Sequence, residues 1–388
     1  MQVLDGLIPT LLESLDVVSR ELIGVIPACE LDARASQQAF NQPLASPVTG
    51  EAELEDFEPS ANAPTPTTSI VDNRQIIMNH MKRSKVTWSG DEQMSVDVLT
   101  TPIMRQQYEQ AMRKLANAIE ADAAEEAIAG ALAFGNVVGT PGSSPFSKDT
   151  KALTRARKVL SDNGAIGSNG EIPQLECILN TEAAMDLRNL DKLQKVNESG
   201  DNTLLRRGLL GNLYGFGIRE SAGFKPHAKG SGDGYLVNGD VAKGSKEIAI
   251  DSGTGTFAKG DIVHFGEDTD HLYIVAEDVP TGGTILKLTT PLTVGVKDND
   301  AVTIGEAYLA SAAFRHGAVQ LATRVPAVPR FNGAMRDLAI DRTVITDPVS
   351  KLSFEVAIWG GAYQATITFA AVWGVKNIKG EHSVAILG

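Results

Sequence analysis

The segment from Thr101 to Gly135 constrains the fold more than any other part of the chain, because it predicts one uninterrupted helix. Thr101 suits the N-cap, Pro102 the first helical position and Gly135 the C′ position just after the helix. At ~1.5 Å per residue such a helix is roughly 50 Å long, beyond the ~26 Å diameter of a 100-residue domain. Apolar residues recur along it at steps of three or four and form one stripe: Met104, Tyr108, Met112, Leu115, Ile119, Ala123, Ala127, Ala131 and Phe134. We therefore expect a spine that links separate regions, with an ordinary amphipathic core helix as the alternative.

The apolar stripe changes in character along this helix. Its first half carries bulky side chains, whereas its second half consists mostly of Ala123, Ala127 and Ala131. Because the distance between packed elements depends on the side chains at the contact, we expect another segment to pack closely against the second half.

Composition bounds the class of protein. A chain of 388 residues with 43% hydrophobic and 21% charged residues can hold two or three globular domains. A formal net charge of -13 argues against tight, non-specific binding of nucleic acid, which needs clustered Lys and Arg. No signal peptide or transmembrane run is visible, and Cys29 and Cys177 have no partnering motif. We expect a soluble cytosolic protein with two free thiols and no contact with a membrane.

The first 60 residues do not have the pattern of a compact domain. A helix is predicted over about Thr10–Ile26, with the acidic residues Glu13, Asp16 and Glu21 outside its apolar face of Leu11, Leu12, Leu15, Val18, Leu22 and Ile26. This helix either packs on its own subunit or is an arm that meets a partner. From Pro43 to Thr68 the composition suits an extended arm, and this stretch contains an acidic cluster of Glu51, Glu53, Glu55, Asp56 and Glu58.

Residues 69–100 are strand-like and contain a cluster of positive charge. The pattern predicts a long β-hairpin here, and the basic cluster consists of Lys82, Arg83 and Lys85. The acidic and basic clusters have opposite signs, so they can pair within one chain or between neighbours. We expect pairing between neighbouring subunits, and the alternative is that both clusters are solvated surface.

The remainder of the chain predicts an α+β fold with an inserted β domain. Residues 225–305 have dense glycine and five or six short alternating runs, which predict a small antiparallel β-barrel that folds autonomously. Before it we expect helices over Lys151–Leu160 and Thr181–Leu190, and strands over Cys177–Leu179 and Gly217–Glu220. After it we expect a helix near Ala307–Phe314, followed by strands at Val344–Thr346, Leu352–Trp359, Tyr363–Trp373 and Val384–Leu387.

The sequence contains no recognisable catalytic, cofactor-binding or metal-binding set. His264 and His271 lack neighbouring ligands at zinc spacing, and Gly239–Lys246 reverses the final residues of a phosphate loop. Serine-hydrolase and zinc-protease motifs are absent from the sequence. We therefore expect a protein that is not an enzyme, and an enzyme with an appended β-barrel is the rival from another class.

Several motifs resemble the major capsid proteins of tailed double-stranded DNA bacteriophages. They are RKLANAIE within the long helix (113–120), LNTEAAMDL, GLLGNLYGFGIRES and the ending AAVWGVKNIKGEHSVAILG. The sub-type that the chain resembles most is the podophage coat protein, because AKGDIVHF and GTILKLTTPL look like strands of its inserted β-barrel. The resemblance implies the shell fold of the HK-ninety-seven type.

This resemblance implies a division of the chain into structural regions. They are an N-terminal arm (1–65), an extended loop (66–100), a peripheral domain with the spine helix (101–150), a first axial part (151–224), the inserted β-barrel (225–305), a second axial part (306–345) and the C-terminal strands of the peripheral domain (346–388).

The resemblance also implies partners and a location. Such proteins assemble as hexamers and pentamers into an icosahedral shell that encloses DNA without reading its sequence. The shell is the virion capsid, assembled in the host cytoplasm with a portal protein and, in some relatives, a decoration protein. Because no long N-terminal coiled segment is present, a separate scaffolding protein is implied, and Glu13, Asp16 and Glu21 are its expected docking residues. An encapsulin-like compartment is the alternative within the fold. Some relatives join a loop lysine to an asparagine, but we expect Lys82, Lys85 and Asn377 to be solvated surface residues.

Overall fold

The computed structural model describes residues 23–49, 71–96, 102–166, 174–190, 193, 211–331, 334–335, 337–347 and 350–388. Most of the helix predicted over about Thr10–Ile26 lies outside this range, as does the acidic cluster of residues 51–58. The described α-helices are α1 (Gly90–Val96), α2 (Pro102–Ala133), α3 (Lys151–Asp162) and α4 (Thr181–Asn189).

The described strands lie before, between and after these helices. In order they are β1 (Glu30–Leu31), β2 (Pro43–Thr49), β3 (Val71–Ile77), β4 (His80–Ser89), β5 (Val137–Gly139), β6 (Leu175–Leu179), β7 (Asn212–Leu213), β8 (Phe216–Glu220), β9 (Tyr235–Val237), β10 (Glu247–Asp251), β11 (Ile262–Phe265), β12 (Asp268–Ile274), β13 (Ile285–Lys287), β14 (Ala301–Ile304), β15 (Ser311–Arg315), β16 (Val319–Arg324), β17 (Arg330–Phe331), β18 (Ala334–Met335), β19 (Ala339–Thr346), β20 (Ser353–Gly361), β21 (Gln364–Asn377) and β22 (Ser383–Leu387).

The predicted spine helix is confirmed as α2. Its end is a Schellman motif, in which Gly135 has a φ of 70° and the Asn136 N–H donates to the Ala131 carbonyl at 3.1 Å. The predicted close packing against its second half is confirmed as well. A Cβ on Gly380 would lie 2.6 Å from the Gly130 carbonyl oxygen, so only glycine lets the C-terminal turn approach the helix this closely.

A six-stranded sheet packs on the first part of the spine, and we call this unit the body. Its strand order is β1-β16-β21-β20-β19, and β4 pairs with β21 as the sixth strand. The long strand β21 organises the sheet, because Ile367 lies opposite Ile358 on one side and Val86 on the other. Tyr108 of the spine and Phe369 of β21 meet in the core with ring centroids 5.6 Å apart.

The hairpin predicted within residues 69–100 is wrong. Strand β3 pairs with β2, from Pro43 opposite Ile77 to Thr49 opposite Val71, and forms a separate two-stranded ribbon. Strand β4 instead joins the body, where Trp88 is buried in its core. A local pattern identifies a strand but not its partner, and burial of Trp88 requires a sheet face that residues 364–373 provide.

A second six-stranded sheet has the order β5-β22-β15-β6-β8-β7 and carries α3 and α4. The helices and strands predicted over residues 151–220 are confirmed here. The helix predicted near Ala307–Phe314 is wrong, because residues 311–315 form β15 between β6 and β22. The alanines of this segment favour a helix locally, but burial in the middle of a sheet overrides that preference.

The region 225–305 contains a third six-stranded sheet, which is antiparallel and has the order β12-β11-β14-β9-β10-β13. It has a core of its own, which includes Tyr235, Phe257 and Leu286. Its two edge strands approach each other where Val275 and Leu288 form a single β-bridge. The predicted number and direction of strands are therefore confirmed, while a closed barrel stays a prediction.

Candidate assembly interface

A buried carboxylate fixes the segment that follows the N-terminal 22 residues. Glu120 of the spine is 2% exposed and accepts hydrogen bonds from the backbone N–H groups of Gly24 (2.7 Å), Val25 (2.7 Å) and Ile26 (3.0 Å). The Ser221 hydroxyl donates to the same carboxylate at 2.6 Å. A buried carboxylate with four donors is well satisfied, so the root of the N-terminal arm is anchored at the middle of the spine.

The ribbon of β2 and β3 is anchored at its root by contacts with the end of β21 and of the spine. The Arg74 guanidinium donates to the Ile378 carbonyl at 2.7 Å and lies 5.4 Å from the centre of the Phe134 ring. At Gly374 a Cβ would lie only 2.1 Å from the Ile77 carbonyl oxygen, so the ribbon crosses the sheet at a glycine. The segment 50–70, which connects the two strands, lies outside the described residues.

The predicted basic cluster lies on β4, where Lys82, Arg83 and Lys85 are exposed. None of the three has an ion pair within the described part of the chain. The Lys82 ammonium lies 5.3 Å from the centre of the Trp373 ring, a cation–π contact. His80 stacks on the same ring, and the Trp373 indole N–H donates to Asp122 at 2.9 Å, so the start of β4 is held on the spine.

The structure adds residues to this cluster that the sequence did not indicate. Lys85 and Lys114 line a groove of about 690 Å³ between β4 and the spine, together with Gln106, Gln107 and Gln110. We call it the basic groove. Lys114 and Glu120 both lie in the RKLANAIE motif, but their roles depend on which elements pack beside the helix. The sequence contains one sign of the role of Glu120. This carboxylate lies at the border of the apolar stripe, one helical turn from Ala116 on one side and from Ala124 on the other.

The basic groove and the ribbon lie toward opposite ends of the spine. Beside the groove are Gln106 to Lys114, whereas the ribbon contacts Phe134, just past the last helical residue. Gln110 and Phe134 are separated by ~36 Å along the helix at ~1.5 Å per residue. From Ile77 to Arg74 the ribbon approaches the Phe134 end of the spine.

The structure also shows the surroundings of the asparagine, cysteine and histidine residues that the sequence singled out. Asn377 is 4% exposed and donates to the Ser383 hydroxyl at 2.9 Å, so the prediction that it is a solvated surface residue is wrong. Both cysteines are buried, and burial raises the pKa of the Cys177 thiol to about 12. His271 pairs with Asp268 at 2.9 Å, and the described residues contain no group of side chains able to hold a metal ion. No described helix has both the length and the apolar character needed to cross a membrane.

Comparison with known proteins gives structural similarity only. No protein-family model and no curated protein matches the chain. The chain is similar to the mature capsid of bacteriophage PhiM1, with a TM-score of 0.48 and 11% identity over 93% of this chain and 85% of that one. For the capsid of cyanophage P-SCSP1u the TM-score is 0.47 with 10% identity, covering 92% and 86%. For a virus-like particle from Pyrococcus furiosus the TM-score is 0.39 with 10% identity, covering 97% and 96%. The chain is also similar to the capsids of Ralstonia phage GP4 and of phage XM1.

Proposed function

We propose that this chain is the major capsid protein of a tailed double-stranded DNA phage, and that copies assemble into an icosahedral shell. The observation that carries this proposal is that the ribbon and the basic groove lie toward opposite ends of one spine. The acidic cluster of residues 51–58 belongs, by its position in the sequence, to the segment between the two ribbon strands, and its charge is opposite to that of the basic groove. Two different patches that fit each other head to tail generate rings of subunits when the rotation between neighbours closes. The rings are the proposed hexamers and pentamers.

In this proposal the ribbon, rather than residues 66–100, is the extended loop. The connecting segment carries Glu51, Glu53, Glu55, Asp56 and Glu58 to the basic groove of the neighbouring subunit. There Lys85 and Lys114 in the groove, with Lys82 and Arg83 beside it on β4, receive them. Each exposed pair contributes only ~0.2–1 kcal/mol, but several pairs recur at every equivalent boundary of a shell. Long-range attraction of opposite charges also accelerates the encounter of subunits.

The remaining partners belong to the same proposal. Glu13, Asp16 and Glu21 dock a basic helix of a scaffolding protein on the inner face of the shell. If a Glu13→Lys, Asp16→Lys variant incorporates as much scaffolding protein as the wild type, this docking site is contradicted. A portal protein and a decoration protein complete the particle, which is assembled in the host cytoplasm. The negative net charge of -13 suits a container from which DNA must leave, because a strongly cationic lining would retain it.

Charge exchange tests the proposed contact. A triple variant with Lys82, Arg83 and Lys85 changed to Glu is expected to melt as the wild-type monomer does but to form few shells, because its groove repels the acidic segment. Changing Glu51, Glu53 and Glu55 to Lys in the same chain is expected to restore part of the assembly. Light scattering follows assembly, and electron microscopy identifies particles of uniform size.

A matched control separates the specific contact from net charge. Lys243, Lys246 and Lys297 are exposed on the inserted domain, and changing them to Glu alters the net charge equally. This control is expected to assemble as the wild type does. Equal assembly by all variants would leave both clusters as solvated surface, and a small compact oligomer in place of shells would contradict the capsid function.

A further inference from the structure

A second groove lies between the spine and the inserted domain. It has a volume of about 710 Å³, and we call it the junction groove. One wall is a continuous face of the spine that includes Ala121, Ile128, Ala129 and Leu132. The opposite wall contains Ile274 and Leu288 of the inserted domain, with Phe224 at the connecting segment. Each of these four spine residues is partly exposed, so this face of the helix lacks the cover that its buried stripe has.

We propose that residues 10–22 of the same chain dock in the junction groove as an amphipathic helix. The first argument is the point at which the described chain begins. Glu120 holds the N–H groups of Gly24, Val25 and Ile26, and the next spine residue, Ala121, is the first that lines the groove. The N-terminal segment therefore meets the spine at the near end of the groove.

The second argument is length and pattern. Leu11, Leu12, Leu15, Val18 and Leu22 fall on one side of the predicted helix and span ~17 Å at ~1.5 Å per residue. The spine face from Ala121 to Ala133 spans ~18 Å by the same measure. Ile23 and Gly24 are not helical in the structure, so the predicted helix ends by residue 22, at the mouth of the groove. An amphipathic helix in a hydrophobic groove is a common mode of recognition.

The third argument is charge. Asp16 and Glu21 border the apolar side of the predicted helix, one on each flank. The rim of the groove carries the exposed cations Lys225 and Lys259, of which Lys225 lies 3.9 Å from the carboxylate of Glu125 on the spine. Glu13 lies opposite the apolar side of the predicted helix. In this arrangement Asp16 and Glu21 pair with the rim, and of the three acidic residues only Glu13 stays available for the scaffolding contact proposed above.

Cysteine cross-linking in the full-length chain tests this placement. If Leu22 lies beside Ala121, Leu15 lies ~10 Å farther along the spine, level with Ile128 and Ala129. A Leu15→Cys, Ala129→Cys variant is expected to form an intramolecular disulfide at least ten times faster than a Leu15→Cys, Asn117→Cys control. Asn117 is exposed on the spine but outside the groove, and the native Cys29 and Cys177 are buried. Equal rates in both variants would overturn the proposal, as would a bond formed only between two chains.

Amide hydrogen exchange supplies a readout without new cysteines. In the full-length wild type, residues 10–22 are expected to exchange about tenfold more slowly than in an Ala129→Glu variant, whose carboxylate fills and charges the groove. An Asn117→Glu variant is the matched control and is expected to keep the protection. Identical exchange in all three proteins would overturn the docking, whether or not the chain assembles into shells.

Discussion

The inserted sheet and the body differ in how far apart along the chain their paired residues lie. In the inserted sheet every strand pairs within residues 235–304, and the core is made by the same segment. In the body, β4 pairs with β21, so that Trp88 lies opposite Ala365, and Glu120 holds residues 24–26. The difference implies that the two units depend to different degrees on contacts between distant segments of the chain. We therefore predict that the inserted domain contains its own folding information, whereas the body forms only when distant segments meet on the spine.

The distribution of tryptophan makes this comparison measurable. All three tryptophans, Trp88, Trp359 and Trp373, lie on strands of the body sheet. Tryptophan fluorescence therefore follows the body, while amide exchange over residues 235–304 follows the inserted domain. The two signals can be compared in one full-length protein.

Removal of the Glu120 carboxylate is expected to have the largest effect. Glu120→Ala leaves buried donors of Gly24, Val25 and Ile26 without an acceptor, which costs roughly 3–5 kcal/mol of unfolding free energy. Urea titration followed by tryptophan fluorescence should show this loss, with little change in exchange of the inserted domain. Glu125→Ala, at an exposed position on the same helix, is the control and should change stability by less than ~0.5 kcal/mol. An equal loss in both regions would mean that they are one cooperative unit.

The converse variant removes a side chain from the inserted core. Phe257 is 1% exposed and its ring centre lies 5.0 Å from that of Tyr235. Phe257→Ala is expected to lose ~3–5 kcal/mol, confined to residues 235–304, because the cavity opens in a separate core. The tryptophan transition should stay in place, whereas the matched variant Phe354→Ala in the body core should move it. Residues 225–305 expressed alone should likewise show slow amide exchange, and a disordered spectrum would argue against autonomy.

The smallest expected effect is a pH dependence that arises at His382, which directly precedes β22 of the second sheet. Burial, with smaller contributions from Lys379 and Arg315, lowers the pKa of His382 to about 4 from its usual 6.5. Below pH 6.5 the His382 side chain is therefore protonated in the unfolded chain, but in the folded chain it stays neutral down to about pH 4. The free energy of unfolding consequently falls as the pH drops from 6.5 to about 4. The loss is at most about 3 kcal/mol. His382→Gln should flatten the dependence of the tryptophan-detected melting temperature, and an unchanged slope would assign the acid sensitivity to other groups.

The sequence by itself determined the features that depend on near neighbours in the chain. The spine was predictable because capping residues and an apolar stripe act within a few residues of each other, and the strands of the inserted domain because turns join them. The tertiary structure alone decided the partners of β3 and β4, the strand at residues 311–315 and the burial of Asn377. Each of these depends on segments outside the local sequence, which lie tens of positions away for β3 and hundreds of positions away for β4 and Asn377. For the same reason the roles of Glu120 and Lys114 could not be predicted. Both are ordinary polar residues of a helix until residues 24–26 pack beside Glu120 and β4 packs beside Lys114.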